Sequence, residues 1–159
     1  MKFQVLNRIA AKNYTYKQHN HKYVIISIND VHDTANKFNR SPELVDVLTL
    51  YFDDVEQGDA YCIEKEDAEK IIKFMNKHMD VDECIVHCTA GVSRSAGVCA
   101  ALMLIINGSD DEIFNDYRFC PNRTCYRKVL NAYFGSYSEE AIDEKFRKNI
   151  EAWRKHQDY

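Results

Sequence analysis

The chain has little of what marks several protein classes. Only two of its 159 residues are proline and five are glycine, so no linker or low-complexity tract interrupts it. No apolar run reaches bilayer-spanning length; residues 96–106 are apolar but stop at Asn107-Gly108. A membrane partner is therefore not expected. The opening stretch MKFQVLNRIAAKNYTYKQHNHK lacks the continuous apolar segment of a secretory signal. An excess of positive charge is missing too. The net charge of −4 disfavours nucleic acid as a partner, while leaving room for a local basic pocket. The six cysteines, Cys62, Cys84, Cys88, Cys99, Cys120 and Cys125, form neither a C-x-x-C pair nor a zinc-type Cys/His spacing. No metal and no cofactor are expected. Reduced thiols in a cytoplasmic or otherwise intracellular protein are the reading. His19-Asn20-His21 carries no metal geometry and reads as a polar loop. The five cysteines other than Cys88 read as small buried hydrophobes.

What is present is ordinary globular material: 45% hydrophobic and 29% charged residues. The length suits one domain, residues 1–159, with a core that needs no covalent staples. KYVIISI (22–28) reads as a buried strand and residues 31–42 as a short helix or loop closed by Pro42. Residues 44–52 read as a second strand with Val45, Val47, Leu50 and Phe52 inward. Residues 64–79 form an amphipathic helix whose face carries Ala68, Ile71, Ile72, Met75 and Met79, with acids crowding its start. ECIVHC (83–88) is a short strand. Residues 94–106 make a buried helix ended by Asn107-Gly108. Ser109 is the expected N-cap of the segment that follows. Residues 124–135 and 138–156 are two further helices, the last with a core stripe of Ile142, Phe146, Ile150 and Trp153. Strands interleaved with helices, then helices alone, give an α/β fold with a small, mostly parallel central sheet flanked by helices.

The informative stretch is IVHCTAGVSRSAG, residues 85–97. A strand delivers Cys88 and a helix starts near Arg94. Between them Gly91 frees the backbone to curl, and Thr89, Ala90, Val92 and Ser93 are small enough to let successive N–H groups turn inward. With the positive end of the helix aimed at the same place, this makes an anion nest of phosphate size. Arg94 adds a planar fork for two phosphate oxygens. Such surroundings favour a cysteine thiolate over a thiol. A thiolate beneath a bound phosphate is aligned for attack on phosphorus, and the loop stabilises the equatorial oxygens of the transition state.

His87-Cys88-Thr89-Ala90-Gly91-Val92-Ser93-Arg94-Ser95 resembles the H-C-x(5)-R-[S/T] signature of the cysteine-dependent protein tyrosine phosphatases, and the chain's size and order look most like their compact dual-specificity branch. The resemblance covers residues 22–135. It implies a dual-specificity phosphatase-like fold and hydrolysis of phosphotyrosine, with phosphoserine and phosphothreonine as further candidates, through a phosphocysteine intermediate. The implied partner is a phosphorylated protein. An aspartate on a loop before the cysteine is implied as proton donor and later as base. Leu50-Tyr51-Phe52-Asp53-Asp54 fits the family pattern with Asp54 as that acid; Asp53 is the second candidate and Asp59 the third. The resemblance gives Ser95 the role of stabilising the departing thiolate, with helix capping as the plain alternative. His87 is implied as a hydrogen-bonding support near the loop and not a base. Asn122, in CPNRTCYRKVL (120–130), is implied as a brace for the phosphate loop.

Three other functions compete. An RNA 5′-triphosphatase or another non-protein phosphatase of the same superfamily would share the motif, although the uncharged loop and acidic chain do not favour it. A non-catalytic phosphoprotein-binding module would normally have lost the cysteine, the arginine or the acid. Redox sensing at Cys88 would need a nearby thiol, with Cys84 and Cys99 as its sequence neighbours. Arg123 and Arg127 offer either a second anion site or a solvated helix surface.

Overall fold

A computed structural model describes residues 1–158. The chain runs β1 (Lys2–Leu6), α1 (Arg8–Tyr14), β2 (Tyr23–Asn29), β3 (Leu44–Tyr51), α2 (Lys65–Lys77), β4 (Glu83–His87), α3 (Arg94–Asn107), α4 (Asp111–Phe114), α5 (Arg123–Phe134) and α6 (Glu139–Gln157). The four strands form one sheet in the order β1-β4-β2-β3, parallel throughout. The expected α/β class and small parallel sheet are what the structure has. In a parallel sheet every strand ends on the same side, so the loops after β2, β3 and β4 converge there.

The two faces of the sheet are unequally covered. Val24, Ile26, Ile28, Leu50, Phe52, Cys84 and Val86 pack under α2, α3, α5 and the start of α6. Tyr23, Ile25, Leu44 and Ile85 form a smaller cluster with Ala11 of α1. β2 and β4 are central, with helices on both faces, so every residue of both strands is buried; this is why they read as continuous apolar runs rather than as alternation. β1 and α1 fall in the N-terminal stretch that the sequence pattern left unassigned. Residues 31–42 hold no helix.

Several inward assignments change. Val45 is exposed because Tyr23 pairs with Leu44 while Val24 pairs with Asp46, leaving Val45 as the extra residue of a bulge. The bulge flips the alternation, so Leu44 and Val47 face the smaller cluster while Leu50 and Phe52 face the larger. Helix α2 stops at Lys77, before Met79, which is exposed; Phe74 fills the buried face instead. Asp110, not Ser109, is the N-cap of α4, and the Ser109 hydroxyl accepts from the Asp111 N–H. In α6 Ile142 is buried and Phe146 packs on the core, but Ile150 and Trp153 are exposed. The buried face there passes through Asn149, whose side-chain amide donates to the carbonyls of Phe114 and Phe119. Asp110 is wholly buried and accepts from Tyr126 Oη and Lys145 Nζ, both at 2.6 Å, which ties α4 to α5 and α6.

All six cysteines are free thiols. Cys84, Cys99 and Cys125 are buried as expected, and burial pushes all three thiols up in pKa. Cys120 is exposed and Cys62 half-buried, against expectation. No helix among the described residues is long and apolar enough to cross a membrane. No group of three or more His, Cys, Asp or Glu is placed to hold a metal ion among those residues.

Candidate active site

Cys88 leaves the end of β4 and is 2% exposed. The loop from Cys88 to Arg94 is held by its own carbonyls. Thr89 O accepts from Arg8 N at 3.1 Å, Val92 O from Cys120 N at 3.0 Å, and Ser93 O from both Gly97 N and Asn122 N at 2.9 Å. A trans peptide points its N–H opposite its C=O, and there are no cis bonds. With those carbonyls turned out to the scaffold, the N–H groups of Ala90, Ser93 and Arg94 turn the other way. Small residues were expected to permit a nest of such N–H groups along this loop.

Gly91 is required twice. Its φ is +69, and a Cβ there would lie 2.8 Å from Leu6 O and 2.6 Å from Asn7 N. The loop thus rests directly on the junction of β1 and α1, a contact that only the N-terminal stretch provides. His87 closes the loop's entry. Its Nδ1 lies 3.2 Å from Cys88 O and its Nε2 2.6 Å from the Ser27 hydroxyl. Burial, with smaller contributions from the Arg8 and Arg94 charges, depresses His87 to about 4. The neutral ring thus donates from Nδ1 to Cys88 O and accepts at Nε2. The Ser95 hydroxyl lies 3.0 Å from Cys88 Sγ, at the buried start of α3.

Arg94 is 5% exposed, and its guanidinium is not a free fork. Nη1 donates to Asp30 Oδ1 at 2.6 Å and to Phe52 O at 2.9 Å; Nη2 donates to Thr89 Oγ1 at 3.2 Å. Nε is buried with no acceptor, an arrangement that costs stability unless something else uses it. Asp30 was not singled out from the sequence. It follows a buried strand as one acid among several, and only the convergence of strand ends brings it to Arg94.

Asp54 is exposed and accepts from the Ser93 hydroxyl at 2.7 Å and from Asn122 Nδ2 at 3.0 Å. Asp53 has another occupation: its Oδ1 accepts from Val31 N at 3.0 Å and its N–H donates to Tyr61 O at 2.8 Å. Of the two neighbours, only Asp54 is hydrogen-bonded to the loop. The Asp59 carboxylate makes no hydrogen bond to the loop; its N–H donates to Glu56 O.

Asn122 does more than the expected bracing, and differently. Its main-chain N–H holds Ser93 O, while its side chain caps α5 at Cys125 N and holds Asp54 and Val55 O. Cap and brace are therefore one residue. Gly97 lets this happen, because a Cβ there would meet Asn122 O at 2.5 Å. Arg123 and Arg127 do not form a second anion site. Arg123 pairs with Glu139 and Asp143, and Arg127 pairs with Glu139 and reaches Gln57 Oε1.

The structure thus brings Cys88, Arg94, Ser95, Asp54, His87 and Asn122 into one place around residues 88–94. No curated protein sequence matches the chain. Among solved structures, DUSP15 is 18% identical with a TM-score of 0.50, covering 94% of this chain and 90% of its own. Human DUSP28 is 16% identical with a TM-score of 0.49, covering 97% and 94%. A family model described as the tyrosine phosphatase family matches residues 10–157. With nearly the whole chain matched and a parallel sheet delivering the cysteine loop to helix α3, the chain belongs to the tyrosine phosphatase family and has the fold of its compact dual-specificity branch.

Proposed function

We propose that residues 1–159 form one phosphatase domain that hydrolyses phosphotyrosine in proteins, with phosphoserine and phosphothreonine as further substrates, through a phosphocysteine intermediate. The observation that carries this is the placement of Cys88 Sγ 3.0 Å from the Ser95 hydroxyl, below a loop to which Asp54 is hydrogen-bonded. The partner is a phosphorylated protein, met in a cytoplasmic or other intracellular setting that keeps Cys88 reduced.

In the first step the Cys88 thiolate attacks phosphorus and the bond from phosphorus to the substrate oxygen breaks. Asp54 gives its proton to that oxygen, so the product leaves as a neutral phenol or alcohol. The N–H groups of Thr89, Ala90, Gly91, Val92, Ser93 and Arg94, with the Nε–Nη2 edge of Arg94, hold the three phosphoryl oxygens. Asp30 and Phe52 O keep Nη1 and so present that edge. In the second step Asp54 takes a proton from water, the water oxygen bonds to phosphorus, and the phosphorus–sulfur bond breaks. Ser95 donates a hydrogen bond to the sulfur as it becomes a thiolate again.

The test is hydrolysis of p-nitrophenyl phosphate in excess EDTA by wild type, Cys88→Ser and Asp54→Asn. Wild-type turnover survives EDTA and Cys88→Ser has none. Asp54→Asn loses about 10²–10⁴-fold in kcat on phosphopeptides, as for a missing general acid, and less on nitrophenyl phosphate, whose leaving group needs little protonation. Equal activity in wild type and Cys88→Ser overturns the proposal.

A further inference from the structure

The connection from β3 to α2 takes a positive φ at two places. Gly58 does so at +95, where glycine has no steric penalty. Tyr61 does so at 65 and is the only non-glycine residue of its kind among the described residues. A bulky side chain is disfavoured there, and asparagine or glycine would sit more easily. Where a chain keeps a large ring on an unfavourable backbone, the ring itself is the place to look for use. Core packing does not explain it, because Tyr61 is 52% exposed.

The ring has one aromatic neighbour. His32, also exposed, meets it edge to face with centroids 5.1 Å apart and planes at 79°. Asp53 ties Tyr61 to Val31, the residue before His32: it donates its N–H to Tyr61 O and accepts from Val31 N. Asp53 immediately precedes Asp54, hydrogen-bonded to Ser93, and Val31 immediately follows Asp30, paired with Arg94. The aromatic pair therefore joins the two loops whose carboxylates face the phosphate loop. The variable positions of that loop, Thr89, Ala90, Val92 and Ser93, supply no ring.

We infer that Tyr61, backed by His32, is the wall against which the aryl ring of a phosphotyrosine packs, and so sets preference for aryl over alkyl phosphates. This rests on the phosphatase reading above. An aromatic ring gains from offset or edge contacts with another ring; a phosphothreonine side chain has none to offer. Tyr61 and His32 act on substrate choice, not on the bond-breaking steps.

The experiment uses two phosphopeptides of one sequence, differing only in phosphotyrosine or phosphothreonine. kcat/KM is measured on each for wild type, Tyr61→Asn, Tyr61→Phe and His32→Ala, with thermal melts of all four. Tyr61→Asn lowers the phosphotyrosine-to-phosphothreonine ratio roughly five- to tenfold, as for one lost aromatic contact, without lowering Tm, since asparagine tolerates the left-handed backbone. Tyr61→Phe stays close to wild type, and His32→Ala falls between. A wild-type ratio in Tyr61→Asn overturns the inference, as does a loss equal on both peptides. If wild type hydrolyses neither peptide nor p-nitrophenyl phosphate, the phosphatase reading falls and takes this one with it.

Discussion

The loop carrying Cys88 and the loop carrying Asp54 face each other but are held by different means. The first is fixed by main-chain bonds through Thr89 O, Val92 O and Ser93 O and by the contact of Gly91 with Leu6 and Asn7. The second hangs largely on side chains: Asn122 to Asp54 and Val55, Thr124 to Glu56 and Gln57, and Arg127 to Gln57. Main-chain bonds ask little of residue identity except where a side chain would collide. Side-chain bonds can be removed one at a time. The first loop should therefore fail abruptly at a glycine, and the second should loosen by steps.

The largest effect is expected from Gly91→Ala. A methyl group there meets Leu6 O and Asn7 N well inside contact distance, on a backbone with positive φ. Overpacking and the left-handed conformation together cost about 3 kcal/mol. Urea titration measures it, and nitrophenyl phosphate turnover should fall with it. A variant as stable and active as wild type would show that the loop is not clamped on β1.

A smaller effect separates the loops by pH. Neutral His87 holds the entry to the main-chain-fixed loop, and its pKa lies near 4 when folded against about 6.5 unfolded. Between those values the unfolded chain binds a proton that the folded chain refuses. This contribution is complete above about pH 6.5 and is lost as pH falls, by about 2 kcal/mol between pH 6.5 and 5. His87→Gln should flatten that part of the stability profile. An unchanged slope in the variant would remove His87 from the account.

The smallest effect belongs to the side-chain-held loop. Asn122→Ala removes the α5 cap and the support of Asp54 while leaving the main-chain bond to Ser93 O. Stability should drop by about 1 kcal/mol. Phosphopeptide kcat should fall more than nitrophenyl phosphate kcat, because only the first relies on a well-placed acid. Equal falls on both substrates would mean that the asparagine supports the phosphate loop instead.

Much of this site was legible because its chemistry is local. Cysteine, glycine, arginine and serine at fixed spacing between a strand and a helix carry their own geometry. Asp54 was set ahead of Asp53 by the resemblance, whose apolar-x-apolar-x-Asp pattern Leu50, Phe52 and Asp54 fit. Asp30 was illegible because it reaches Arg94 from another strand end, through a parallel sheet whose order the sequence does not spell out. The seat of Gly91 was hidden for a related reason: β1 is an edge strand, exposed or half-buried along its length, and lacks the apolar run that buried β4 shows. Val45, Met79, Ile150 and Trp153 were misread because periodicity was carried past a bulge, past a helix end and along a helix whose buried face runs through Asn149.

The bulge at Val45 has a consequence for how the chain could change in length. From Val24–Asp46 to Asn29–Tyr51 the two strands pair without a break, so the extra residue is absorbed at the end of the sheet farthest from Cys88. An insertion taken up there leaves Phe52 buried and the acid loop at its proper distance from the phosphate loop. The same residue added after Phe52 would have no slack to enter, since Asp53 is tied on both sides. The fold can drift in length at one end because the chemistry is at the other.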